Sequence, residues 1–245
     1  MRRRTREAAT RRDADLDALA ALPLFMSVRA AIRAKITAAR RETADAAERP
    51  AIVTAAATYF RLAGELIAPP APRLVAVGGL SGTGKSLLAR ALAADLLPAP
   101  GAVHLRSDVE RKALFGVAEA DRLPAQAYGA EATGTVYRTL ASKAHRVIAA
   151  GHSAVVDAVF AVAEERAAIA AIGGSRARFH GLFLVADLAT RLARVGARHG
   201  DASDADAKVA REQEGYDPGA IEWRKVDASG TPDDTLRHAR AALAR

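Results

Sequence analysis

Cysteine is absent from the 245 residues, which excludes disulfides, thiolate metal sites and a cysteine nucleophile. Aromatic residues make up only 4% of the chain, which weakens any base-stacking platform for single-stranded nucleic acid. No apolar run approaches the roughly 20 residues that span a bilayer, so no membrane partner is expected. The arginine-rich start is interrupted by Asp13, Asp15 and Asp17 before a short apolar patch at 19–28, which argues against a signal peptide. Together these absences predict a cytoplasmic chain. Lysine is scarce as well, at six of the 36 basic residues, so each lysine in a motif carries information.

What the sequence does contain is a half share of apolar residues, mostly alanine and leucine, sufficient for a buried core. The formal net charge is +8. Residues 1–13 supply half of it, through Arg2, Arg3, Arg4, Arg6, Arg11 and Arg12 against Glu7 and Asp13. Such an end is expected to be a solvated, disordered tail, with nucleic-acid binding as the less favoured reading. Residues 14–68 are expected to be helical. Phe25, Val28, Ile32 and Ile36 recur at helical steps, and Ile52, Ala56, Tyr59, Phe60, Ala63 and Ile67 share a face on a second helix opening near Pro50. Both stripes are expected to pack, against each other or against the rest of the chain.

Three prolines within residues 69–72 cannot continue a helix and mark a linker. After it, strands predicted at 73–78, 102–106, 153–157, 178–185 and 222–227 alternate with helices at 85–97, 109–115, 130–150, 164–171, 188–198, 204–213 and 233–243. That alternation predicts an α/β domain over 73–245, with a parallel sheet covered by helices. Ligands of such sheets sit at the carboxyl ends of the strands.

At the end of the first strand stands Gly79-Leu80-Ser81-Gly82-Thr83-Gly84-Lys85-Ser86-Leu87, which fits the P-loop pattern G-x-x-x-x-G-K-[ST]. Glycines let successive N–H groups turn toward one point, and the following helix adds the positive end of its dipole. The expected ligand is ATP, held by the backbone of Gly79, Ser81, Gly82, Thr83, Gly84, Lys85, Ser86 and Leu87. Lys85 is expected to reach the outer phosphates and the Ser86 hydroxyl to ligate Mg²⁺.

The second strand runs into Ser107-Asp108-Val109-Glu110-Arg111. Asp108 and Arg111, three apart at a helix start, can face one cleft as base and anion holder; Ser107 or Asp108 as a simple helix cap is the equal alternative. Asp157 ends the third strand and is expected on the metal side. Arg191, Arg194 and Arg198 form one basic stripe beside the apolar Leu188, Leu192 and Val195, as in a lid that delivers arginines to developing phosphoryl charge. The polar stretch 199–204 suits a mobile segment, and the turn 227–232 is expected against the adenine. The six histidines show no metal-ligand spacing.

These motifs together resemble the small P-loop kinases labelled AAA-family ATPase, relatives of polynucleotide 5′-hydroxyl kinase, chloramphenicol phosphotransferase, gluconate kinase and zeta toxins. The resemblance covers about residues 70–245. It implies a P-loop NTPase three-layer sandwich with a five-stranded parallel sheet in the order 2-3-1-4-5, preceded by the N-terminal helical segment. It also implies phosphoryl transfer from ATP to a hydroxyl of a small molecule, with Asp108 matching the general base of polynucleotide kinase and Arg111 the arginine of the same D-x-x-R pattern. One departure is Ala158-Val159, where such kinases often carry alanine-threonine. Residues 16–68 faintly resemble the closing helices of an aminoglycoside-phosphotransferase-like module, whose catalytic motifs residues 1–68 lack. The rival functions are a 5′-hydroxyl polynucleotide kinase, a zeta-toxin-like kinase of nucleotide sugars, and a nucleotide-gated switch without an acceptor.

Overall fold

The computed structural model describes residues 15–174, 176–197 and 202–244; the basic tail expected at 1–13 and Arg198 lie outside them. Five strands, β1 (Arg73–Gly79), β2 (Val103–Arg106), β3 (Ala154–Asp157), β4 (Arg178–Val185) and β5 (Arg224–Asp227), form one sheet in the order β2-β3-β1-β4-β5. All four pairings are parallel. The order 2-3-1-4-5 is the one expected.

Between the strands run α3 (Lys85–Asp95), α4 (Ser107–Phe115), α5 (Ala130–Ala149), α6 (Ala163–Gly173), α7 (Leu188–Gly196) and α8 (Ala207–Glu212), with α9 (Pro232–Leu243) at the end. Successive side chains of a strand point to opposite faces, and β1 feeds both layers. Leu74 and Ala76 join Val136, Leu140 and Val147 of α5 and Ile169 of α6. Val75 and Val77 join Leu88 and Leu92 of α3 and Ala239 and Leu243 of α9. A strand apolar at every position is what a sheet covered on both faces requires.

Two helices precede the sheet, α1 (Leu22–Ala39) and α2 (Arg49–Ile67). They meet through small residues: Ala30, Ala34 and Ala63 are buried, with Ile52, and Ser27 Oγ donates to the Ala63 carbonyl at 2.8 Å. The first stripe read from the sequence is therefore not packed as expected, and the second is packed only in part, through Ile52 and Ala63. Phe25 is 68% exposed and Phe60 73%, with Val28, Ile32, Ile36 and Ile67 exposed beside them. Close approach of two helix backbones favours alanine at the contact, which turns the bulky faces outward. The root of this hairpin is tied down: Leu16 joins the α5 side of the core, and the Leu19 carbonyl lies 3.0 Å from His152 Nε2. Among the described residues no helix is long and apolar enough to cross a membrane.

Candidate active site

β1 ends in the glycine turn, and α3 starts directly after it at Lys85. Gly79, Gly82 and Gly84 have φ of 136°, 86° and 87°, a conformation that glycine adopts without a steric cost and that bends the chain sharply here. Gly82 also has no room for a side chain, since a Cβ there would lie 2.5 Å from the Arg191 carbonyl oxygen. The Leu80 carbonyl holds the turn together. It accepts from Thr83 Oγ1 at 2.8 Å, Thr83 N at 3.3 Å and Lys85 Nζ at 3.0 Å. The first amides of α3 have by geometry no intrahelical acceptor, and that helix starts directly behind the turn, with Gly84 as its N-cap residue.

Register brings the acids to this loop. Asp157 lies beside Val77 of β1 on one side and Arg106 of β2 on the other, so the end of β3 sits between the phosphate loop and the start of α4. Ser86 Oγ donates to Asp157 Oδ2 at 2.5 Å. Burial works to raise the Asp157 pKa, but His104, Lys85 and Ser86 outweigh it and hold the carboxyl below its usual range. Asp157 is thus an ionised hard-oxygen group touching a hydroxyl, a pair whose chemistry fits Mg²⁺.

Asp108 lies in the first turn of α4. The residue capping that helix is Arg106, without a side-chain cap, so Asp108 is not spent as an N-cap. Burial and the charge of Asp157 raise its pKa, against the opposing pull of Lys85, Arg106 and a hydrogen bond with Ser203. Lys85, Ser86, Asp108 and Asp157 therefore form one electrostatically coupled group at the carboxyl edge of the sheet.

The arginines are placed differently from the expectation. Arg111 Nη1 donates to the Ala127 carbonyl at 2.6 Å and to Thr133 Oγ1 at 3.2 Å, with its guanidinium 5.1 Å from the Tyr128 ring centre. Arg191 is 1% exposed. Its Nε donates to the Ser81 carbonyl at 2.8 Å and its Nη2 to Ala210 O at 3.0 Å, while Nη1 pairs with Glu214. It braces the loop from outside. Arg194 binds the carbonyls of Ala228 at 2.7 Å and Gly230 at 2.6 Å, which shapes the turn expected against adenine. Ser81 is likewise engaged, its amide donating to Gln213 Oε1 at 2.7 Å. Of the unusual Ala158-Val159 pair, the Val159 carbonyl accepts from Gly79 N at 3.0 Å, a backbone bond indifferent to the side chain.

Sequence reasoning missed His104 and Arg106. His104 Nε2 and Arg106 Nε each stand 3.6 Å from Asp157 Oδ2, a separation longer than a hydrogen bond. Their i, i+2 spacing puts both on one strand face. Only the adjacency of β2 and β3 aims that face at Asp157. Also missed were Gln213, Glu214 and the buried Lys112, which reach their partners through the tertiary structure.

A family model described as AAA domain matches residues 74–216. That match covers more than half of the chain and leaves the α1–α2 hairpin outside it. No curated protein is similar enough in sequence to count as a match. Among solved structures, a gluconokinase from Sinorhizobium meliloti superposes with a TM-score of 0.51 at 20% identity, over 71% of this chain and 93% of that one. A sugar kinase from a Janibacter species gives 0.53 at 19%, over 71% and 95%. The APS kinase of Mycobacterium tuberculosis, in complex with AMPPNP and APS, gives 0.52 at 21%, over 72% and 100%. At these identities the likeness is one of fold.

Proposed function

From the premise that this chain belongs to the AAA domain family, we propose that it is a Mg²⁺-dependent kinase moving the γ-phosphoryl group of ATP to a hydroxyl of a small molecule. The observation that carries this is the convergence of Lys85, Ser86, Asp108 and Asp157 on the mouth of the glycine turn. The turn binds polyphosphate through the backbone amides of Gly82, Gly84, Lys85, Ser86 and Leu87, while Ser81 and Thr83 frame it. Lys85 leaves the Leu80 carbonyl for the β- and γ-phosphates. Ser86 and Asp157 hold Mg²⁺, which when bound supplies neutralising charge between the phosphates.

Asp108 is the base. As the acceptor oxygen bonds to the γ-phosphorus and the bond to the β–γ bridging oxygen breaks, the acceptor proton passes to the Asp108 carboxylate and ADP departs. A raised pKa suits this, because a carboxylate closer to the working pH takes a proton more readily. Arg194 shapes the adenine side through the 228–230 turn; Arg111 and Arg191 act as braces rather than as phosphate ligands. Kinase-type fold neighbours support the reaction class.

The test is Asp108→Asn assayed against a panel of metabolites with γ-labelled ATP. Transfer is expected to fall at least about a hundredfold, with ATP affinity within about twofold. Equal loss of both would move Asp108 to the metal, and a wild type that labels no acceptor would defeat the kinase reading.

A further inference from the structure

Among the described residues, one other than glycine has a positive φ: Phe160, at 52°, which follows Asp157 by three positions. A bulky side chain disfavours that left-handed region, so the conformation persists only where the surroundings over-determine it. Here both backbone groups of Phe160 are held. Its amide donates to Tyr137 OH at 3.0 Å. Its carbonyl accepts from Arg166 Nη1 at 2.9 Å, and the same nitrogen donates to Ala161 O at 3.0 Å. Arg166 Nη2 donates to the carbonyls of Pro218 at 2.6 Å and Ala220 at 3.1 Å. Arg166 is 5% exposed, and a guanidinium so far from water depends on such acceptors. The Phe160 ring is held as well, edge-on to Tyr137 at 5.5 Å and to Trp223 at 5.0 Å between centroids.

This corner meets the phosphate strand directly. The Val159 carbonyl, one peptide before it, accepts from Gly79 N at 3.0 Å, and Ala158 N donates to Val77 O at 3.3 Å. The chain beyond β3 therefore stays bonded to β1 up to the residue where the glycine turn begins, and leaves it at Phe160. Packing adds a second contact. At Gly78 an added Cβ would lie 3.3 Å from Phe160 Cβ and 3.2 Å from the Trp223 ring, so the corner sits on bare strand backbone. We infer that Phe160, Tyr137 and Arg166 are positioning residues for the phosphate loop: the left-handed corner they enforce aims the Val159 carbonyl at Gly79 and fixes where the loop begins. Through Arg166 the same corner is joined to residues 218–220, on the approach to β5. The inference rests on the kinase reading for what the loop holds, but not for the coupling itself.

The full-length chain is tested as Tyr137→Phe, as Arg166→Lys and, for control, as Phe179→Leu. Phe179 meets Trp223 at 5.8 Å in the same aromatic cluster, but its ring can make no hydrogen bond to the corner. Three readouts are needed: hydrogen exchange at the Phe160 and Gly79 amides relative to Val75 deep in β1, MgATP affinity by calorimetry, and turnover. Tyr137→Phe is expected to speed exchange at both amides about tenfold over Val75 and to weaken MgATP binding about fivefold, with kcat within about twofold, the scale of one neutral hydrogen bond. Arg166→Lys keeps the charge without the planar fork, and should shift exchange and affinity in the same direction. Phe179→Leu should lower the urea midpoint and leave the Gly79-to-Val75 ratio and MgATP affinity at their wild-type values. A Gly79 ratio unmoved by Tyr137→Phe, or moved equally by Phe179→Leu, overturns the proposal, as does an unchanged MgATP affinity with Gly79 released. Tyr137→Phe keeps the ring, so a folding failure of Arg166→Lys leaves the test intact. A Gly79 response in a chain that binds MgATP yet labels no acceptor keeps the coupling and sinks the kinase.

Discussion

The sheet domain and the α1–α2 hairpin use apolar residues in opposite ways. Along β1, Leu74, Val75, Ala76 and Val77 are all 0% exposed, because helices cover both faces of the sheet. Along α1 the large residues Phe25, Val28, Ile32 and Ile36 face outward, and Ala30 and Ala34 make the contact with α2. An apolar period therefore reports the phase of a helix, whereas burial depends on what lies across from it. The strands have partners on every side through parallel register. The hairpin has one, and small side chains suffice for it.

The sharpest way to break this contrast concerns activity. Lys85→Ala is expected to reduce MgATP turnover by more than about a hundredfold with an unchanged circular dichroism spectrum, while Phe25→Ser with Ile32→Ser leaves turnover at the wild-type level. A loss in the double hairpin variant would make the hairpin part of the catalytic unit. A step smaller is the stability difference. Leu182→Ala, on β4 and fully buried, should cost about 2–5 kcal/mol in urea titrations; Phe25→Ala should stay within about 0.5 kcal/mol. Equal costs would mean that α1 is covered in solution.

Gly82→Ala should come next, at about 1–3 kcal/mol from its left-handed φ and the Arg191 backbone it would strike, with weaker ATP binding by calorimetry. The smallest effect is a titration that the hairpin, which holds no histidine, does not share. Burial first, then Arg178, Arg73 and Arg224, lower the His180 pKa from 6.5 to about 4. As pH falls below 6.5 the unfolded chain takes up this proton before the folded one, so stability declines down to about pH 4. His180→Gln should flatten that part of a stability–pH curve, with urea midpoints at pH 7 and 5 as the check.

Much of the fold was readable before any coordinates. β4 runs over the expected 178–185, and the other strands end within a residue of their expected carboxyl ends, because alternation of apolar strands with helices leaves a parallel sheet as the consistent arrangement. Within the candidate site, the glycine turn, Lys85, Ser86, Asp108 and Asp157 were legible for the same reason: each stands at a strand end, where ligands of such sheets bind. Arg111 and Arg191 were misjudged because a charged residue at helical spacing looks the same whether it meets solvent or a set of buried carbonyls. Lys112 with Asp204, and Ser81 with Gln213, join residues 92 and 132 positions apart, and no local pattern records such a pairing.

Local chemistry written in the chain determined where it turns, where helices start, and that a glycine turn with left-handed residues follows β1, since glycine conformations and hydrophobic period act over a few residues. The tertiary structure alone decided which charges are spent. A buried guanidinium or ammonium must find acceptors wherever the fold brings them, so Arg111, Arg191 and Lys112 became braces while Asp108 and Asp157 were left facing the phosphate loop.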